Sequence, residues 1–316
     1  TNYKIKSYPT TYFDGGFKLN VGAGSTSAAK TAYSTSLTAC ENRVVNDVDI
    51  KVEAKWLGNA SMEICVNVQN NTPGDYDAIV RCYVTEIESS MGWLDTFGNP
   101  YTFAFLDYAV YTLETIASND SWGICTIWDG NPLGYGGIQR DNIMIIATVS
   151  EKDAHTGYSD PPSGNPFVAY YLDDATATVP QTLLVDSDTL PASGGIINYS
   201  VSAGVENANR NYYLLGSVTG TEPGLPLPGG MVTLPLVWDP LTDLMLNLAN
   251  SPALPNWRGV LDASGQAIPG PQLNTWGPVP PTAVGTTIYA AYLLYYIPSY
   301  YPYDFVSNPV SFEIVP

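Results

Sequence analysis

The sequence is short of basic charge: 12 Lys and Arg stand against 30 Asp and Glu, for a formal net charge of −18. Nucleic-acid binding depends on cations that neutralise phosphates, so nucleic acid is excluded as a partner, and an anionic membrane surface is disfavoured for the same reason. Histidine occurs once, at His155. A Ser-His-Asp or Cys-His site would have to use it, and its Pro- and Gly-rich surroundings support a catalytic base poorly. G-x-S-x-G, H-E-x-x-H, P-loop and dinucleotide patterns are all missing. No apolar run reaches the roughly 18–20 residues that a spanning helix needs, so no membrane span is expected. Together these gaps predict a protein that is not an enzyme.

Tyr (23), Pro (25) and Gly (28) are plentiful, which favours strands and turns over helices. An all-β fold follows. A chain of 316 residues suits two domains. We read two tandem β-sandwich domains, Ig-like or jelly-roll-like. The N-terminal sandwich takes residues 1–155, with a terminal strand arm and an aromatic insertion; a Pro-, Gly- and Ser-rich linker takes 156–185; the C-terminal sandwich takes 186–316. The chain begins at Thr1 rather than Met, as a processed mature product or a piece of one would.

Along the chain, residues 1–13 alternate Tyr3 and Ile5 with Lys4 and Lys6. This is an edge strand of its own domain or an arm that adds to a neighbouring copy's sheet. Asp47, Asp49, Lys51 and Glu53 alternate with Val48, Ile50, Val52 and Ala54, predicting a strand with one solvated acidic face. Met62–Val68 and Ala78–Val84 flank a QNNTPGD turn and predict a β-hairpin. Between Thr85 and Ile116 lies the aromatic insertion, with Trp93, Phe97, Tyr101, Phe103, Phe105, Tyr108 and Tyr111. The DPLTDLMLNLAN segment is read as a strand on its alternating Leu244, Leu246 and Leu248, with a short helix as the other option. In Thr287–Phe305 seven Tyr exceed what one buried strand face can take, which makes Tyr295, Tyr296, Tyr300, Tyr301 and Tyr303, with Tyr3 and Ile5, the interface candidates.

Cys40, Cys65, Cys82 and Cys125 lack C-x-x-C spacing and histidine partners, so two disulfides are expected and the pairing stays open. The hairpin register argues only against Cys65 with Cys82. Sequons at Asn59, Asn70, Asn119 and Asn198 are the glycosylation candidates. Carboxylate pairs for glycosidase work could be found in Asp173 with Asp174 or Glu86 with Glu88, but 30 acids produce such pairs by chance. Asp173, Asp174, Asp186 and Asp188 are the acids on which a Ca²⁺ site would draw; no other cofactor is expected.

Three stretches carry a resemblance: LLGSVTGTEPGLPLPGG (Leu214–Gly230), LDASGQA (Leu261–Ala267) and SNPV (Ser307–Val310). Over residues 186–316 the chain resembles the C-terminal β-modules of large secreted and cell-surface proteins of environmental bacteria. The N-terminal half resembles the β-sandwich that follows a thioredoxin-like module in bacterial outer-membrane-associated proteins, through Gly74–Glu86 and Asp141–Asp153. No thioredoxin-like module is present, so a redox role does not carry over. The resemblance implies an extracellular or cell-surface address and no reaction. The expectation is a non-catalytic structural protein whose partners are copies of itself, assembling into a filament or surface layer with strand donation by the N-terminal arm as one mechanism. The alternative is a carbohydrate-binding or adhesion module with glycan partners.

Overall fold

A computed structural model describes residues 3–5, 9–275, 277–296 and 303–316. The fold is all-β with two helices among these residues. It divides into two compact units, 1–53 with 64–126 and 142–178, and 54–63 with 127–141 and 179–316.

The first part of the chain runs β1 (Thr10–Phe13), β2 (Lys18–Val21), α1 (Thr26–Glu41), β3 (Val48–Gly58), β4 (Ser61–Asn70), β5 (Tyr76–Glu88), β6 (Thr102–Ile116), β7 (Ser121–Asp129), β8 (Ile143–Glu151), β9 (His155–Asp160), β10 (Gly164–Ala169) and β11 (Leu172–Thr178). Helix α1 falls in the Gly-, Ser- and Ala-rich stretch that shows no clear period. Ser25 starts it by accepting from the Ala28 N–H at 3.1 Å. The strands form an antiparallel sheet in the order β11-β8-β5-β6, a second of β3-β4-β7, and two-stranded pairs β1-β2 and β9-β10. Residues 156–178, read as linker, are therefore mostly strand, with β11 completing the four-stranded sheet.

The row Val48, Ile50 and Ala54 is buried in β3 while Asp47, Asp49, Lys51 and Glu53 face solvent, as the alternation predicts. Met62, Ile64, Val66 and Val68 in β4, and Ala78, Val80, Cys82 and Val84 in β5, are all buried. These two strands nevertheless do not form the expected hairpin: β4 lies between β3 and β7, and β5 between β8 and β6. The turn between them is a crossover from one sheet to another, and Asn70 holds it. Its Nδ2 donates to the carbonyls of Gly74 (2.9 Å), Ile116 (3.0 Å) and Ala117 (3.1 Å), while its Oδ1 accepts from Thr72 N–H (2.9 Å).

The second part continues with β12 (Leu183–Val185), β13 (Thr189–Pro191), β14 (Gly195–Val201), β15 (Asn211–Ser217), β16 (Leu225–Pro226), β17 (Thr233–Leu234), α2 (Pro240–Leu248), β18 (Arg258–Val260), β19 (Gln272–Thr275), β20 (Thr287–Tyr295) and β21 (Val310–Val315). A five-stranded sheet, β13-β21-β20-β15-β18, is antiparallel except for the parallel β13-β21 pair, and β12-β14-β19 forms another. Trp257, Tyr292, Phe312, Leu214 and Ile197 belong to the larger core cluster; Leu215, Leu227, Leu234, Leu293 and Tyr295 belong to a smaller one.

Two expectations fail here for identifiable reasons. The DPLTDLMLNLAN segment is helix α2, because Asp239 and Pro240 are a start signal. Asp239 caps the helix with Oδ1 against Leu241 N–H (2.9 Å) and Thr242 N–H (3.1 Å), and Pro240 at the first helical position gives up a hydrogen bond that no residue there makes. Gly216 in β15 lets the helix close in, since a Cβ there would lie 2.4 Å from Met245 Sδ. The Tyr-rich strand β20 is central, and both of its faces are covered. Tyr292 lies in one core cluster and Tyr295, only 6% exposed, in the other.

Candidate functional site

The nominated acids are mostly engaged in holding the fold. Asp173 accepts from Tyr76 Oη (2.7 Å), from Asn46 Nδ2 (3.0 Å) and from Glu151 N–H (3.2 Å), with Arg43 at 3.8 Å. Burial, reinforced by that carboxylate, pushes the Tyr76 phenol far above its ordinary value, so it remains a donor. Asp174 receives Ile50 N–H at 2.8 Å, and Asp186 receives Asn198 N–H at 2.9 Å. Glu86 is buried, with Oε1 held by Ser90 Oγ and by Asn142 Nδ2; Glu88 is exposed. Among the described residues no group of three His, Cys, Asp or Glu side chains converges on a metal-sized site. His155 opens β9, and its ring stacks on Tyr171 at 4.0 Å.

The cysteines form one disulfide, Cys65–Cys125, and not the two expected. Cys82 points into the core from the buried row of β5, and Cys40 sits half-buried near the end of α1; both are free. Burial pushes the Cys82 thiol up to about 12 and raises Cys40 too, with Asp14 adding to it. Thiol titration of the unreduced protein is expected to give two reactive groups after denaturation, with Cys82 silent in the native state. Four reactive groups would contradict the bridge.

The sequons divide by burial. Asn59, Asn119 and Asn198 are exposed, whereas Asn70 is fully buried with its amide engaged as above. Glycopeptide mapping of material from a glycosylating host is expected to find Asn70 unmodified; a glycan there would contradict the crossover.

Apolar groups on the surface gather in two places. In the first unit, the supposed insertion resolves into the 89–101 loop and the edge strand β6, which pairs only with β5 among the described strands. Phe103, Phe105, Tyr108, Tyr111 and Leu113 of β6 are exposed. Their rings touch in series, Phe105 to Tyr108 at 4.9 Å and Tyr108 to Tyr111 at 5.4 Å, and the Arg81 guanidinium lies 5.3 Å from the Tyr111 ring. The loop carries exposed Trp93, Leu94 and Tyr101, with Phe97 89% exposed.

In the second unit, an apolar groove of about 530 Å³ is lined by Tyr213, Leu227, Trp238, Leu293, Tyr295 and Tyr303, among others, with Arg258 as the one charged residue among its described lining. Its components come from β15, the Leu225–Pro228 run, β20 and residue 303, segments far apart in sequence. Only an exposed Trp238 beside the Leu-Pro-Leu-Pro run could have signalled it. A separate cleft of about 540 Å³ in this unit has a mixed lining, with Asn59, Gln139, Arg140, Asp141 and Glu206 beside Trp56, Ile138 and Phe305.

Of the interface candidates, Tyr303 lines the groove and Tyr296 packs under Arg210 at 4.5 Å. Tyr300 and Tyr301 lie outside the described residues. Tyr3 is folded onto its own unit, stacked on Tyr12 at 4.1 Å and edge-on to Phe167 at 5.3 Å, and Ser159 Oγ donates to the Lys4 carbonyl at 2.6 Å. Ile5 is exposed.

No protein-family model and no curated protein matches the chain. Among solved structures it is similar to red sea bream transglutaminase, with 9% identity and a TM-score of 0.27 over 92% of this chain and 34% of that one. A GH3 β-glucosidase from Bifidobacterium adolescentis (10% identity, TM-score 0.25) is matched over 43% of this chain and 17% of its own. A β-glucosidase from Listeria innocua in complex with glucose (7% identity, TM-score 0.23) is matched over 40% and 16%. The chain thus spans about a third or less of these proteins. Likeness at this level assigns no chemistry. No helix among the described residues is long and apolar enough to cross a membrane.

Proposed function

We propose that this chain is a non-catalytic extracellular structural protein that assembles with copies of itself into a filament or surface layer, each of its two units built as a β-sandwich. The observation that carries the reading is the row of exposed rings on β6 and its adjoining loop, an apolar surface on a protein whose charge of −18 otherwise keeps copies apart. The groove of the second unit is an unlike apolar surface on the same chain. Unlike patches that meet between copies make head-to-tail contacts, which grow open-ended unless the rotation closes a ring. The Cys65–Cys125 bridge suits an oxidising compartment.

Ring packing fits the β6 edge better than added strands do. Register shifts between Cys82 and Tyr83 and between Val84 and Thr85 interrupt its pairing with β5, and irregular edges resist strand addition. The N-terminal arm would have to leave its seat beside Phe167 to be donated. Sedimentation velocity over a concentration series is expected to show species growing beyond the 34.0 kDa chain; one monomeric boundary throughout would refute assembly.

A second reading, carbohydrate binding, rests on the mixed cleft, whose lining combines amides and carboxylates that can bond sugar hydroxyls with the Trp56 and Phe305 rings that can stack on a sugar face. Glycan-array binding lost on replacing Asn59 and Gln139 would support it; no glycan retained by the wild type would dispose of it.

A further inference from the structure

We propose that the Phe97 loop of one copy is the knob that fills the Tyr213–Leu227–Trp238 groove of the next, a contact that rests on the self-assembly reading and names its two halves.

The knob is built before it binds. Asp95 accepts the N–H groups of Phe97 (2.8 Å) and Asn99 (2.9 Å) and the Asn99 amide (3.0 Å), and Asp95 N–H donates to the Asn99 carbonyl at 2.8 Å. Leu94 and Pro100 form a bridge below the tip, and Tyr101 N–H closes on the Trp93 carbonyl at 3.0 Å. A loop held in this way loses little freedom when it docks, so its exposed Phe97, Leu94 and Trp93 retain most of the gain from burial. No residue of the loop other than Asp95 is charged. Its hydrogen bond from Asn99, with backbone bonds in support, holds that carboxyl below the usual carboxylate range.

The groove matches on both counts. A volume of about 530 Å³ lies in the range of about 300–1,000 Å³ that encloses a small group of atoms, enough for aromatic and aliphatic side chains from one loop tip. Arg258 is the one charge among the groove's described lining, with its guanidinium 5.9 Å from the Tyr213 ring, where it can receive the Asp95 carboxylate while the apolar tip enters.

The charge balance also favours a copy of this chain as the occupant. With 30 acids and 12 bases, two copies repel over most of their surfaces and can meet only where acids are few. The loop, with one acid, and the groove, whose described lining has one base and no acid and meets a carboxylate only at its Trp238 edge, where the indole N–H donates to Asp243 at 3.0 Å, are such places. Because knob and hole are different surfaces of the same chain, the contact is head-to-tail.

The test uses full-length chains in two variants, Phe97→Asp, which spoils the knob, and Arg258→Glu with Trp238→Ala, which spoils the groove. All three residues are exposed, so both variants should melt as the wild type does. Mass is read by light scattering. The proposal expects a growing wild type and each variant alone as the 34.0 kDa monomer. Mixed together they should form a dimer and stop, since only one intact knob and one intact groove remain in the pair. A wild type that grows while Phe97→Asp also grows, or variants that stay monomeric on mixing, would overturn the knob and leave assembly standing. A wild type that never grows would overturn both.

Discussion

Replacing both Cys65 and Cys125 by serine is expected to lower the unfolding free energy by about 4 kcal/mol, the chain-entropy value for a bridge that closes about 60 residues. The bridge ties β4 to β7, so its loss frees in the unfolded chain a loop that includes β5, β6 and the aromatic edge. Urea denaturation followed by tyrosine and tryptophan fluorescence measures the change as a lower midpoint. A midpoint unchanged from wild type would mean that the two sulfurs are not bridged in solution. Cys82→Ala in the same series removes no crosslink and a smaller buried side chain, so its loss should be well below that of the double variant.

Asp239→Ala is expected to cost about 2–4 kcal/mol. One part is the lost cap of α2, about 1 kcal/mol. The rest comes from Asp239 Oδ2, which accepts from Ser217 Oγ (2.8 Å), Val218 N–H (2.8 Å) and Thr219 N–H (3.0 Å): Val218 and Thr219 are exposed and can turn to water, but leaving the buried Ser217 hydroxyl without its acceptor costs about 1–3 kcal/mol. A loss below about 1 kcal/mol would show that only the cap matters. The same carboxylate sets a pH dependence. Burial alone would raise its pKa, but the Thr242 N–H and the Ser217, Val218 and Thr219 donors prevail and bring it to about 2 from 3.8. A depressed folded-state pKa means that the contribution is complete above the ordinary carboxylate value and disappears as the pH falls through the folded one. Wild type should therefore lose stability between about pH 4 and pH 2 more steeply than Asp239→Asn, which carries no charge to titrate there.

Local periodicity made the buried rows legible. The Val48–Ala54 and Met62–Val68 alternations identify the residues that face inward, because a strand repeats every two residues. They do not identify the neighbouring strand. The QNNTPGD segment reads as a hairpin turn, and only the non-local bonds of Asn70 to Ile116 and Ala117 make it a crossover. The row Ala78, Val80, Cys82 and Val84 placed Cys82 inward, but an inward position does not tell a free thiol from a bridged one, so two disulfides were expected where one forms. Asp239-Pro240 states a helix start that the alternating leucines obscured. The Tyr-rich strand misled because surplus tyrosine was taken for exposed surface, whereas a central strand covered on both faces buries successive residues. The groove was illegible for a different reason: Tyr213, Trp238, Leu293 and Tyr303 become neighbours only through the strand order β20-β15 and the path of the chain around it.

The most direct measurement is negative-stain electron microscopy of the purified, unreduced chain at its highest soluble concentration. The account predicts filaments or sheets with a repeat of one chain, present in buffers of moderate salt where the repulsion of −18 charges is screened. Dispersed single particles at every salt concentration would contradict it.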